Sequence, residues 1–132
     1  MNRLLVALLL SGAVLDAQRL EPMRRSYPAQ LVRAVDGDTY VLDVRLPVDG
    51  WPFEVETVTV RVPIRLEGLD APEMPTDLGQ RAKEAAETLL REAVAIKIEP
   101  SGARSFARWI SRVYIDGKDV ADVLRANGHV KE

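Results

Sequence analysis

The 132-residue chain contains no cysteine. Disulfides, thiolate nucleophiles and cysteine zinc sites are therefore excluded. Histidine is almost missing too: His129 is the single one, which excludes histidine-rich metal sites and leaves little room for imidazole catalysis. Any metal site must be built from oxygen donors, which suit calcium, magnesium or manganese. Positive charge is not in excess, because 18 Lys and Arg stand against 20 Asp and Glu, for a net charge of −2. That balance argues against a polyanion held by overall electrostatics, but not against a few arginines gathered in one cleft. Internal repeats and low-complexity segments are absent. What is present is 47% hydrophobic and 29% charged residues, enough for one globular domain with a modest core.

The N-terminus has the pattern of a signal peptide. Arg3 precedes the apolar run Leu4–Leu10, small and apolar residues continue to Leu15, and Ala17 supplies a small residue at the expected cut. The run is too short to span a bilayer. The expected organisation is a signal peptide over 1–17, a polar linker over 18–26 and one domain over 27–132. A secreted or periplasmic protein without a membrane anchor is expected, as a monomer.

Strand patterns follow at Ala29–Val35 and Thr39–Leu46, separated by an Asp36-Gly37 turn signal. Pro47–Pro52 marks a hairpin loop. A long alternating strand, Val55–Leu66, places Val58, Val60, Val62 and Ile64 on one face. Asp77 and Gln80 fit a capping box. Leu78–Ala93 then reads as a helix with an apolar stripe of Leu78, Ala82, Ala85, Ala86, Leu89, Leu90 and Ala93. Val94–Glu99 and Phe106–Ile115 read as strands around a Pro100-Ser101-Gly102 loop. Asp119–Asn127 reads as a short helix ended by Gly128. The order predicts an α+β class, mainly β: a five-stranded, partly open Greek-key barrel of the OB type with two packed helices.

Three polar clusters lie beside strand ends: Asp36-Gly37-Asp38-Thr39, the stretch from Arg65 to Glu73, and Arg108. Each alone has an ordinary explanation, as a turn, a solvated acidic loop or a surface arginine. Together they hold a sufficient kit for phosphodiester hydrolysis. Asp38 and Asp70 supply carboxylates to one hard divalent cation, and a backbone carbonyl near Asp70 adds a third oxygen. Glu73 stands ready to act on a water. Arg65 and Arg108 have the forked geometry that grips phosphate oxygens.

Two of these motifs resemble the staphylococcal nuclease family: Asp36-Gly-Asp-Thr39, and Arg65-Leu-Glu-Gly-Leu-Asp70-Ala-Pro-Glu73. The resemblance runs from about Tyr27 to the C-terminus. It includes Gly79–Ala85 at the start of the first helix, Arg108 eight residues before Asp116-Gly-Lys118, and the helix from Val120. It implies an OB barrel and calcium-dependent cleavage of DNA and RNA that leaves 3′-phosphates. Asp38 and Asp70 then match the metal ligands, with Ala71 lending its backbone carbonyl. Glu73 matches the general base or water-orienting residue, and Arg65 and Arg108 match the phosphate arginines.

The chain also departs from the family pattern. Ala107 stands where a glycine is usual, and Phe106 where a tyrosine is common, so a hydroxyl contact to phosphate is lost. The loop Met74–Asp77 is short and the hairpin from Arg45 to Glu56 is long. The match ends at Glu132, before an aromatic segment and third helix found in longer relatives, so weaker substrate binding and modest stability are expected. Trp51 in the hairpin loop is placed for base stacking, whereas Trp109, Tyr40 and Tyr114 read as packing residues and His129 as solvated. The competing readings are a non-catalytic OB module binding single strands or proteins, and a degenerate nuclease. Three clustered acids speak against the pure binding module, since without a cation they would repel phosphate.

Overall fold

The computed structural model describes residues 24–48 and 56–131. Its elements run β1 (Tyr27–Asp36), β2 (Thr39–Val48), β3 (Glu56–Leu66), α1 (Asp77–Glu92), β4 (Ile96–Ser105), β5 (Arg108–Ile115), β6 (Lys118–Asp119) and α2 (Val120–Ala126). The strands form a sheet in the order β3-β2-β1-β4-β5-β6, and a parallel β3–β5 pairing brings its ends together. The result is the expected OB-like α+β fold, a closed five-stranded mixed barrel with two helices. The closure pairs Ile64 with Trp109, Arg65 with Ile110 and Leu66 with Ser111. It is this contact that sets β5 beside the end of β3, where the polar clusters lie. The two-residue β6 was not anticipated. It forms because Asp116 (φ 49°) and Gly117 (φ 84°) make a two-residue turn with both φ values positive, the geometry that matches strand twist.

Alternation along the strands fills the barrel. Tyr40, Leu42, Val44, Val62, Ile64, Leu66, Ile98 and Val113 are buried together with Leu90, Val120 and Leu124 from the helices. Helix α1 presents Gly79, Ala82, Ala86 and Leu90 to the barrel, spaced three and four apart. Its N-cap is Thr76, whose hydroxyl accepts from Gly79 N at 3.0 Å, rather than the expected Asp77–Gln80 box. Leu78 consequently falls in the exposed first turn and is 62% accessible, outside the buried stripe. Helix α2 is capped by Asp119, which accepts from Ala121 N at 2.9 Å. Its C-terminus closes with Gly128 N donating to Arg125 O and His129 N to Leu124 O, the paired bonds of a Schellman motif around Gly128 at φ 82°. That bond leaves His129 half-buried rather than solvated.

Other boundaries move for identifiable reasons. β2 continues through Pro47 to Val48, because Pro47 and Val48 still pair with Thr57 and Glu56. Val94 is 94% exposed and precedes β4, since the Asp116 carboxylate holds Val94 N and Ala95 N in a turn at 3.2 and 2.8 Å. β4 runs on through Pro100–Gly102 by way of a bulge before Arg104. Val58 stays exposed at the outer end of β3. The expected signal peptide and the hairpin-loop residue Trp51 lie outside the described residues. Among those described, no helix is long and apolar enough to cross a membrane. The end of the expected linker is tied down: the Arg24 guanidinium bonds Glu67 at 3.0 Å.

Candidate functional site

The β1–β2 turn carries Asp36, Gly37 and Asp38. Gly37 does not have a positive φ, so the turn does not demand glycine for its backbone conformation. Space demands it. A Cβ there would lie 2.7 Å from the Ala71 Cβ and 2.8 Å from the Ala82 Cβ. The turn is thereby clamped between the acidic loop and helix α1. The buried Tyr40 hydroxyl donates to Gly37 O at 2.6 Å and fixes the turn from below. Asp36 accepts the Asp38 N–H at 3.0 Å.

Asp38 is only 8% exposed. Its Oδ2 accepts the Ala71 N–H at 2.9 Å, and its Oδ1 accepts from the Thr39 hydroxyl at 3.4 Å. Burial, and then neighbouring Asp36, push the Asp38 carboxyl up to about 6 against the pull of the Ala71 N–H and Arg65. The Asp38 carboxyl therefore holds its proton more tightly than an exposed aspartate does.

Arg65, at the end of β3, reaches both acids. Its Nη1 lies 3.3 Å from Asp38 Oδ2, and its Nη2 lies 2.5 Å from Asp70 Oδ1. The same guanidinium donates to Leu66 O and Leu69 O, both at 2.8 Å, and so shapes the loop that carries Asp70. α2 and the segment after it hold this loop from outside: Arg125 donates to Gly68 O, and Lys131 N donates to Asp70 O at 2.7 Å. Asp70 is exposed and Ala71 buried, so the loop offers one open carboxylate beside one enclosed backbone.

Arg108 approaches from the start of β5. Its Nε and Nη2 donate to Ser105 O at 3.2 Å and Ser105 Oγ at 3.1 Å, and its Nη1 donates to Thr39 Oγ1 at 3.4 Å. Thr39 therefore links Arg108 to Asp38. Asp38, Asp70, Ala71, Arg65 and Arg108 lie in one connected cluster at the end of the barrel. Glu73 is on the same loop, but its exposed carboxylate pairs with Lys131 at 3.0 Å. Among the described residues, no hydrogen bond or ion pair joins the Glu73 carboxylate to the Arg65 cluster.

The sequence marks Tyr40 only as a packing residue and assigns no role to Thr39, Ser105 or Lys131. Thr39 sat inside a motif and was open to such a role. Ser105 and Tyr40 each bond a residue three positions away, Arg108 and Gly37, whereas Lys131 acts on Glu73 58 positions away, where nothing local marks it. No group of three or more His, Cys, Asp or Glu side chains gathers as a metal cage among the described residues. The available donors are two carboxylates and backbone oxygen, the hard donor set that leaves positions for water. A scan against protein-family models finds no match, and a search of curated proteins finds none either.

Proposed function

We propose that this barrel end is the active site of a metal-dependent nuclease that hydrolyses phosphodiester bonds of DNA and RNA. The observation that carries the reading is the convergence of two arginines from different strands, Arg65 and Arg108, on a buried carboxylate, Asp38, and its neighbour Thr39. One divalent cation, calcium by preference, would be held by Asp38, Asp70 and the Ala71 carbonyl, and would supply Lewis acidity toward the phosphoryl oxygens. The donor set of two carboxylates and a backbone oxygen supports that fit.

The chain's own residues do the remaining work. Arg65 and Arg108 bind phosphate oxygens and offset the charge that builds on them during attack. Glu73 accepts a proton from the attacking water. The bond from phosphorus to the 5′ oxygen breaks, that oxygen gains a proton, and the 3′-phosphate remains on the other fragment. Thr39 and Ser105 hold Arg108 in line. Residues 1–17 act as a signal peptide, which makes the enzyme secreted or periplasmic, and it works as a monomer.

A second reading has its own support. Arg65 is engaged by Asp38 and Asp70, and Glu73 by Lys131, so Arg65 and Glu73 each have an ion-pair partner without substrate. That arrangement suits a non-catalytic OB module. Cleavage of end-labelled single-stranded DNA separates the two. The nuclease cuts with calcium, stops with chelator, and loses its activity in Glu73→Gln and Arg108→Ala. A folded protein that binds the strand and cuts under no divalent metal establishes the binding module.

A further inference from the structure

Glu73 is held unevenly. Its main chain is fixed on the α1 side, where Glu73 O accepts from the Thr76 hydroxyl at 2.6 Å and from Thr76 N at 3.3 Å. Its side chain is 75% exposed, and its one partner among the described residues is the Lys131 ammonium, 3.0 Å from Oε1. A glutamate side chain without a partner spreads over several rotamers and spends little time facing any one water. An exposed ion pair between two long side chains is ordinarily weak, because both must be ordered to form it. Lys131 arrives with its main chain already placed. The Schellman turn around Gly128 directs the chain off α2, Val130 packs against the barrel core, and Lys131 N donates to Asp70 O at 2.7 Å. One residue therefore holds both ends of the Asp70–Glu73 segment, the first by its main chain and the second by its side chain.

We propose that Lys131 is a positioning residue for Glu73, holding Oε1 so that Oε2 is presented to the attacking water. The proposal rests on the nuclease reading for the role of Glu73. A carboxylate has two oxygens and needs only one to accept a proton, and Oε2 has no partner among the described residues. Acid–base sites commonly orient the base through a third group. Here that group comes from the segment after α2 and not from the cluster around Arg65. The placement also separates two tasks. The Lys131 main-chain N–H survives any replacement of the side chain except by proline, and keeps its hold on Asp70 O. The side chain therefore acts on proton transfer and not on the cation.

The test uses the full chain with calcium on end-labelled DNA. Lys131→Met keeps the reach of the side chain and removes its charge, whereas Lys131→Arg keeps the charge. Lys131→Met is expected to lower kcat about fivefold, the rate equivalent of a well-formed exposed ion pair, and to change KM by less than about twofold. Lys131→Arg is expected to restore most of that loss. The calcium dissociation constant, measured by calorimetry without DNA, is expected to agree between wild type and Lys131→Met within about twofold. An unchanged or raised kcat in Lys131→Met overturns the positioning role. So does a rise in KM alone, which makes Lys131 a substrate contact. A loss that Lys131→Arg does not restore, or weaker calcium binding by Lys131→Met, overturns it as well. If the wild type cuts DNA under no divalent metal, the nuclease reading fails and the positioning role falls with it. A wild type that cuts while Lys131→Met cuts equally well overturns the positioning role alone.

Discussion

Replacing Gly79 with alanine is expected to destabilise this protein, although removing glycine from a helix ordinarily gains about 0.5–1 kcal/mol. Gly79 lies in the first turn of α1, buried against the loop that carries Glu73. A Cβ there would stand 2.2 Å from Glu73 O, 2.7 Å from Glu73 C and 3.1 Å from Met74 N. The obstacle is backbone, which has no rotamer to swing away. Ordinary contact begins near 3.4 Å, so helix and loop must part by about 1.2 Å. The same Glu73 carbonyl is already held by the Thr76 hydroxyl at 2.6 Å and by Thr76 N at 3.3 Å, so the shift also strains the helix cap. Overpacking of this kind costs about 1–3 kcal/mol, which outweighs the helical gain and leaves a net loss on the order of 1–2 kcal/mol. Thermal unfolding followed by circular dichroism should show a fall of roughly 3–8 °C for each kcal/mol lost. On the nuclease reading, a displacement of about 1 Å at Glu73 lowers kcat by about a hundredfold. A variant that melts at or above the wild type refutes the reasoning, because the helix and loop then part without cost.

Three further outcomes follow from the same geometry. Tyr40→Phe removes the buried donor to Gly37 O, leaves that carbonyl unsatisfied and should cost about 1–3 kcal/mol by chemical denaturation, with near-wild-type stability refuting it. Asp38 titrates in the folded state at about 6, above its unfolded value, so the folded protein holds this proton more tightly. Its contribution to stability is full in acid and is lost as pH rises through about 6. With chelator present, the denaturation midpoint should fall across that range in the wild type and fall less in Asp38→Asn; parallel curves contradict the assignment. Calcium at a hundred times its dissociation constant should raise stability by about 2.7 kcal/mol in the wild type, and this gain should vanish in Asp38→Asn. A calcium-independent melting temperature in the wild type removes calcium from the site.

Much of the fold was legible because its signals are local. Two-residue alternation marked the strands, the spacing of Ala82, Ala86 and Leu90 marked α1, and Asp116-Gly117 marked a turn. The absence of cysteine and the single histidine restrict any metal site to oxygen donors whatever the fold. The residue types of the site, two aspartates and two arginines beside strand ends, were also open to reading from motif and spacing.

Only the tertiary structure decided how those pieces meet. The parallel β3–β5 pairing joins residues more than forty positions apart and brings Arg65 and Arg108 to one end of the barrel. No local periodicity encodes such a pairing, because it depends on the sum of many packing contacts. Gly37 looked like a turn glycine, yet it is glycine because Ala71 and Ala82 crowd it from two other segments. Arg65 bridging both aspartates and Lys131 pairing with Glu73 are likewise products of assembly. Sequence determines which side chains are available and which segments alternate or coil. Charge pairing and steric contact between distant segments exist only once the chain has closed on itself.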